Sequence, residues 1–168
     1  MEPVRGINTA RVKGRRSLHF ACQSDILRDV ESVAAGPFRC LGNWSLAQIC
    51  RHLAQAMDWS LGLEPDRTAF PLWLRVVGRL FNRLVVWYGV RLQPGYRLGS
   101  AERFLEPAPG STEEGLRDLA AAIRRLAEVT VRRPRHPVWG KFSRSDWDQY
   151  HCRHAEMHLS FIVPLPQT

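Results

Sequence analysis

The signals that start helices constrain this chain more than any other feature of its sequence. Ser45 is followed by Gln48 and Ser111 by Glu114, each at a separation of three residues. In such a capping box the serine hydroxyl accepts a hydrogen bond from the backbone amide three residues on, and the Gln or Glu side chain accepts one from the serine amide. A further start, Ser143–Asp146, opens the last helix.

Apolar residues recur at helical spacing behind these starts. A weaker pattern occupies 24–35 and is ended by Gly36-Pro37. The segments predicted to be helical are 24–35, 45–61, 70–90, 111–129 and 143–162. No convincing set of strands emerges, so the pattern predicts an all-α fold, an up-down four-helix bundle with a short extra N-terminal helix. Residues 89–110 are rich in Gly and Pro and are expected to form one long loop.

We expect a single domain, because 168 residues are too few for two domains of ordinary size. Residues 1–17 are polar and basic and are expected to form a flexible arm, with Leu18–Ala21 as a short extended piece. The bundle would occupy 18–163, and residues 164–168 would be a tail, since two prolines prevent the last helix from continuing.

The cysteines favour a reducing compartment. The chain has four, Cys22, Cys40, Cys50 and Cys152, without CxxC spacing or a dense framework. The N-terminus is basic but lacks the apolar stretch of a secretory signal. We therefore expect a cytoplasmic protein.

The charge balance admits an anionic partner without identifying one. The chain has 24 basic and 16 acidic residues, a net charge of +8, carried mostly by arginines spread along the sequence. Arginines such as Arg132, Arg133 and Arg135 would serve a nucleic-acid or anionic-membrane binder. Basic residues without a recognised docking motif more often form a solubilising surface, so we do not expect nucleic-acid binding.

The segment 70–90 resembles a membrane span at first sight. It is apolar, but Arg75, Arg79 and Arg83 recur in it at four-residue spacing and lie on one helical stripe. Each would cost about 2.5–3.5 kcal/mol in a bilayer core, which argues against a spanning helix. We favour a bundle helix with one solvated face, and a basic amphipathic helix on an anionic lipid surface is the second interpretation. The role of the arginine stripe stays open at this point.

Three histidines share one face of the last helix. His151, His154 and His158 fall within about 60° of one another at helical spacing, bordered by Trp147 and Phe161. His154 and His158 are an i, i+4 pair, whose imidazoles can bind one ion from one side. The alternative is that such histidines are only buried, but imidazoles that face a core without bonded nitrogens lose solvation energy.

A tetrahedral catalytic site needs a third ligand from another element. His52 is the best candidate, because it lies on the flank of the apolar stripe of its helix and can face a neighbouring helix. His19, in the N-terminal region, and His136, in a turn before Pro137, are weaker candidates.

These residues stand in motifs that resemble the DinB/YfiT-like superfamily, most closely a branch known only as a domain of unknown function. The similarity covers about residues 15–162 and is carried by Arg15-Arg16-Ser17-Leu18-His19-Phe20, Asn43-Trp44-Ser45-Leu46-Ala47-Gln48-Ile49, Arg51-His52-Leu53-Ala54-Gln55, His136-Pro137-Val138-Trp139-Gly140-Lys141 and the stretch Trp147 to Leu159. The chain departs from the superfamily pattern after His158, where Leu159-Ser160-Phe161 replaces a polar Arg-Gly-Gln stretch.

The resemblance implies a four-helix bundle that holds a divalent metal ion, often zinc or nickel, with three histidines. By position the ligands would be His52, His154 and His158, while His151 would be a pocket or outer-shell residue. Some relatives use such a site with a low-molecular-weight thiol for transfer or isomerisation, and others are hydrolases. Trp147, Tyr150 and Phe161 are the candidate pocket walls, although Tyr150 fits a core position equally well.

The leading hypothesis is therefore a metal-binding protein of unassigned reaction, a transferase or hydrolase that activates water or a thiol for a small-molecule substrate. The alternatives are a non-catalytic module that binds a metal or small ligand and, less favoured, a basic protein on a membrane or nucleic acid. A homodimer is compatible with either of the first two interpretations.

Overall fold

The computed structural model describes residues 6–63, 72–87, 91–95, 107–128, 135–136, 138, 140 and 141–166, with side chains within 72–87 described only to Leu80. The described residues form an all-α bundle, as the sequence predicts. Its helices are α1 (Gln23–Ala34), α2 (Leu46–Ser60), α3 (Leu72–Trp87), α4 (Thr112–Glu128) and α5 (Arg144–Leu159). A short 3-10 helix, Thr9–Arg11, precedes them.

The predicted helix starts are present in the structure. The Ser45 hydroxyl accepts a hydrogen bond from the Gln48 amide at 3.2 Å, and the Gln48 side-chain oxygen accepts one from the Ser45 amide at 3.0 Å. Ser111 and Glu114 make the same reciprocal pair before α4. Each pair satisfies backbone amides that the first helical turn leaves without a partner.

Helices α2 and α4 form the most extensive contact of the bundle. They approach closely because Gly115 faces α2 without a side chain. A Cβ atom there would lie 2.8 Å from the Cα and carbonyl oxygen of Ala47. Buried apolar residues of α1, α2, α4 and α5 complete the core, with Ile26, Val30, Leu53, Met57, Leu119, Ala122, Ala155 and Leu159 each at most 1 % exposed.

Helix α3 packs differently from the sequence-based interpretation. It contacts α5, and its buried Gly78 lies so close to Val138 that a Cβ at this position would collide with the Val138 side chain and carbonyl oxygen. The solvated face was expected to consist of the arginines, yet large apolar residues of α3 are also exposed. They are Leu72, Trp73, Val76, Val77 and Leu80, here called the outer face of α3. In the described part of the chain, no helix combines the length and apolarity that crossing a membrane requires.

Two short strands that the sequence pattern did not predict pair with each other, one between α1 and α2 and the other after α5. β1 (Phe38–Cys40) pairs antiparallel with β2 (Ile162–Pro164), and Cys40 lies opposite Ile162. The last helix was predicted to continue to about Ile162, but α5 ends at Leu159 because the following residues pair with β1. The pairing is only three residues long, so no alternating pattern announces it in the sequence.

The basic N-terminal segment lies against the bundle from Ile7 onwards. The Ile7 amide donates to the Asn43 side-chain oxygen at 2.8 Å, and the Asn43 amide group donates back to the Ile7 carbonyl. Arg16 makes a bidentate ion pair with Asp29 of α1 at 2.7 and 2.8 Å. The guanidinium of Arg15 lies 4.4 Å from the centre of the Phe161 ring.

Several sequence-based expectations fall outside the described residues. They include most of the 89–110 loop, Arg132 and Arg133, and the side chain of Arg83. All four cysteines are described and none forms a disulfide.

Candidate metal centre

Two helices bring three histidine side chains to one point. His52 projects from the middle of α2, and His154 and His158 project one turn apart from α5. Their nitrogen atoms lie within 4.8 Å of one another. The Nε2 of His154 is 3.2 Å from the Nε2 of His52 and 3.0 Å from that of His158. The three candidate ligands named from the sequence therefore form one cluster, here called the histidine triad.

Hydrogen bonds alone do not satisfy the nitrogens of this cluster. A neutral imidazole has one N–H donor and one acceptor nitrogen, so the Nε2 of His154 serves one of its two histidine neighbours and not both. The other ring nitrogen of His154, Nδ1, is buried and has no hydrogen-bond partner among the described residues. Three nitrogens that converge in this way fit a shared cation better than a hydrogen-bonded cluster.

The electrostatic setting keeps the rings of His154 and His158 neutral. Burial, and then the neighbouring His52, lower the pKa of His154 well below its ordinary value of 6.5. The pKa of His158 is lowered for the same two reasons, in the same order. Since only the neutral imidazole has a free lone pair, the ligand-competent form is the one present at neutral pH.

Two of the three nitrogen–nitrogen distances match a tetrahedral ion, and the third is within 4.8 Å. Nitrogens about 2.0–2.1 Å from zinc are about 3.3 Å apart in a tetrahedral site. The two Nε2 separations at His154, 3.0 and 3.2 Å, are close to that value. Three protein ligands leave a fourth position for water or a substrate, which is the pattern of catalytic rather than structural zinc sites. His154 and His158 are only partly buried, so this position is near the surface.

Two aromatic rings hold the imidazoles in place. The Trp44 indole stacks on His158, with ring centres 5.3 Å apart and planes 13° from parallel, and its ring centre is 4.8 Å from that of His52. Tyr150 stacks on His154 at 5.6 Å and 24°. Tyr150 was a candidate wall, whereas Trp44 appeared only as part of the family motif. Its place directly before the Ser45 cap is the signal that could have indicated it.

The other candidate pocket residues have their main contacts with residues outside the triad. His151 is buried, shares a 3.0 Å hydrogen bond with the Ser60 hydroxyl, and packs against Trp147 and Tyr150. Trp147 is fully buried against His151 and its aromatic neighbours. The ring of Phe161 packs against the Arg15 guanidinium and next to Gly42, where a Cβ would lie 3.2 Å from its Cδ1.

The weaker ligand candidates take other roles. His136 is buried beside Trp59 and Tyr150, and its Nδ1 accepts a hydrogen bond from the Val138 amide at 3.1 Å. Burial, and then His151, lower the pKa of His136 well below 6.5. His19 has a largely exposed side chain near Arg153.

Cys152 does not join the cluster of candidate ligands. It is buried in the core, and burial raises the pKa of its thiol to about 12, as expected of a cysteine that packs as a small apolar group.

Comparison with known families gives a match over most of the chain. Residues 12–165 match the family described as "Protein of unknown function (DUF1569)", which confirms the expectation of an uncharacterised domain. No curated protein and no solved structure matches the chain. Because the family match covers most of the chain and includes all three residues of the histidine triad, the chain belongs to the DUF1569 family.

Proposed function

We propose that this chain is a divalent-metal-binding protein of the DinB-like type, and that its histidine triad is the centre of a metalloenzyme that activates water or a thiol. The convergence of the three Nε2 atoms carries the proposal. The separations of 3.0 and 3.2 Å between the Nε2 of His154 and those of its two neighbours are close to those that one tetrahedral ion requires.

Zinc and nickel are the metals we expect. Neutral imidazole suits zinc, copper, iron and nickel, and no thiolate or carboxylate joins the triad among the described residues. A bound divalent cation would lower the pKa of a water or thiol at its open position, so that a nucleophile is available at neutral pH. A low-molecular-weight thiol is the cofactor we would test first.

Aromatic residues of the chain would orient the histidine rings and exclude water from one side of the site. Trp44 fixes the plane of His158 by stacking, and Tyr150 does the same for His154. The two rings border the triad from different elements. Trp44 directly precedes the N-cap residue of α2, and Tyr150 belongs to α5. Together they would shield one side of a small substrate from solvent and leave the partly exposed side for its entry.

Metal analysis of untagged protein tests the binding part of the proposal. We expect about one zinc or nickel ion per chain, and its loss in His52→Ala and in His154→Ala. The matched control is His19→Ala, which removes an imidazole that is 77 % exposed and outside the triad. Retention of a full equivalent of metal in both triad variants would contradict the site.

Turnover separates an enzyme from a binding module. The zinc-loaded protein would be assayed with a panel of low-molecular-weight thiols and electrophiles, and with ester and amide substrates. Activity that disappears in His154→Ala and survives in His19→Ala supports catalysis at the triad. Metal binding without turnover on any of them would favour the non-catalytic module instead.

A further inference from the structure

The outer face of α3 is a large apolar surface without a partner among the described residues. Its five side chains are between 42 and 74 % exposed. Leu72, Val76 and Leu80 form one continuous stripe along it, because residues four apart fall on one side of a helix. Half-buried Leu74 and buried Gly78 occupy the opposite side, where the helix packs on the bundle. A contiguous apolar patch of this kind marks a site of interaction.

The sequence segment that contains α3 has a strongly one-sided charge. Residues 67–101 contain six arginines and no lysine, aspartate or glutamate, so this segment carries +6 of the net charge of +8. Residues 1–66 and residues 102–168 are each at +1. Arg75 and Arg79 are exposed and follow one border of the outer face. Arg83 continues their spacing in the sequence.

We propose that the outer face of α3 docks on the surface of an anionic lipid bilayer. Large apolar residues, an indole and a border of arginines are the features of helices that lie in the headgroup region with their apolar side towards the acyl chains. Long basic side chains at such a border reach the lipid phosphates while their stems stay on apolar surface. The helix has 16 residues, about 24 Å, which is shorter than a hydrocarbon core of about 30 Å and fits a surface position.

The same observations disfavour the other occupants. A nucleic acid would pair with the arginines, but its phosphate backbone would not cover Leu72, Val76 and Leu80. A second copy of the chain, docked through the same face, would bring the two arginine borders together without an acidic residue in 67–101 to neutralise them. An anionic bilayer satisfies both the apolar stripe and the basic border.

Vesicle flotation of the full chain tests the proposal. We expect the protein to float with vesicles of equal parts phosphatidylcholine and phosphatidylglycerol, to remain behind with phosphatidylcholine alone, and to be released by high salt. Arg75→Gln combined with Arg79→Gln should weaken the partition coefficient about 25-fold, since each basic residue at such a surface contributes about fivefold. Val76→Ser combined with Leu80→Ser should weaken it at least tenfold.

Matched controls distinguish the face from general charge and apolarity. Arg117→Gln with Arg124→Gln removes two exposed arginines from α4, and Leu63→Ser removes an exposed leucine beyond α2. Both should float like the unchanged protein. Thermal melts confirm that each variant folds, and metal content should be unchanged in all of them because α3 contributes no residue to the histidine triad.

Three outcomes would overturn the proposal. The first is no flotation with anionic vesicles. The second is flotation that the α3 variants and the α4 control reduce equally. The third is a dimer in sedimentation equilibrium that the Val76→Ser, Leu80→Ser variant dissociates, which would assign the face to a second copy.

Discussion

The indole of Trp44 stacks on the imidazole of His158 with their planes only 13° apart. Trp44 precedes α2, and His158 belongs to α5, so this contact joins the two elements that supply the histidine triad. The stacking restricts rotation of the His158 ring, which directs its Nε2 towards the Nε2 of His154. Trp44 is therefore a positioning residue for the proposed metal ligand.

Replacement of Trp44 by Ala should weaken zinc binding by about tenfold, in the lower part of the range for residues that orient metal ligands. The cause is rotational freedom of the His158 ring, so the zinc stoichiometry should stay at one. Competition titration with a chromophoric chelator measures the affinity. Trp73→Ala, which removes an exposed indole from α3, is the matched control and should bind zinc like the unchanged protein. Equal affinities in the two variants would refute the positioning role.

Zinc should stabilise the native state of this protein. At a free zinc concentration of about one hundred times Kd, the gain in free energy of unfolding is about 2.7 kcal/mol. For a chain of this size that gain corresponds to a rise in Tm of about 5–10 °C. Differential scanning calorimetry with and without zinc measures it. His154→Ala should lose the shift and His19→Ala should keep it, and an equal shift in both would place the binding elsewhere.

The stability of the metal-free protein should fall as the pH drops below 6.5. His136 is buried with a pKa lowered from 6.5, so between its folded and unfolded pKa values the unfolded chain binds a proton that the folded chain does not. Its contribution to stability is complete above pH 6.5 and is lost at up to about 1.4 kcal/mol per pH unit below it. His154 and His158 act in the same direction.

Urea unfolding between pH 5 and pH 7.5 measures this slope. His136→Asn retains a side-chain acceptor for the Val138 amide and removes the titrating ring, so its slope should be shallower than that of the unchanged protein. The comparison concerns slopes, which a uniform loss of stability does not affect. An unchanged slope in His136→Asn would show that this imidazole does not contribute.

Gly115→Ala should destabilise the bundle by about 1–3 kcal/mol, the range for overpacked cores. In an exposed helix the same change would stabilise by about 1 kcal/mol, so the sign of the effect is informative. The added Cβ would meet the Ala47 backbone at 2.8 Å, and backbone cannot move aside as a flexible side chain can. Chemical unfolding gives the free energy. A stabilised variant would contradict the close crossing of α2 and α4.

The sequence pattern was sufficient for the bundle and for the pairing of His154 with His158. Capping boxes and apolar stripes predicted the ends of α2 and α4 to within one residue. Both signals are local, and no long-range contact among the described residues shifts these helix ends. The i, i+4 spacing of His154 and His158 is likewise local. His52 was chosen because it lies on the flank of the apolar stripe of α2 and matches a family motif. Spacing alone does not show which helices become neighbours.

The remaining features depend on long-range contacts. The Trp44–His158 stack joins residues from two distant parts of the chain, and no periodicity reports it. The environment of His151 is decided by Ser60 on another helix. The exposure of Val76 and Leu80 follows from how α3 docks through Gly78, whereas an apolar stripe in a sequence predicts burial by default.

The three-residue pairing of β1 with β2 fastens the two ends of the proposed site to each other. The Leu41 amide donates to the Phe161 carbonyl at 2.9 Å, three residues before Trp44 and three residues after His158. The start of α2 and the end of α5 are thus connected through the same two-stranded sheet. Substitutions in this β1–β2 pairing are therefore a way to alter the spacing of the ligands without changing the histidines themselves.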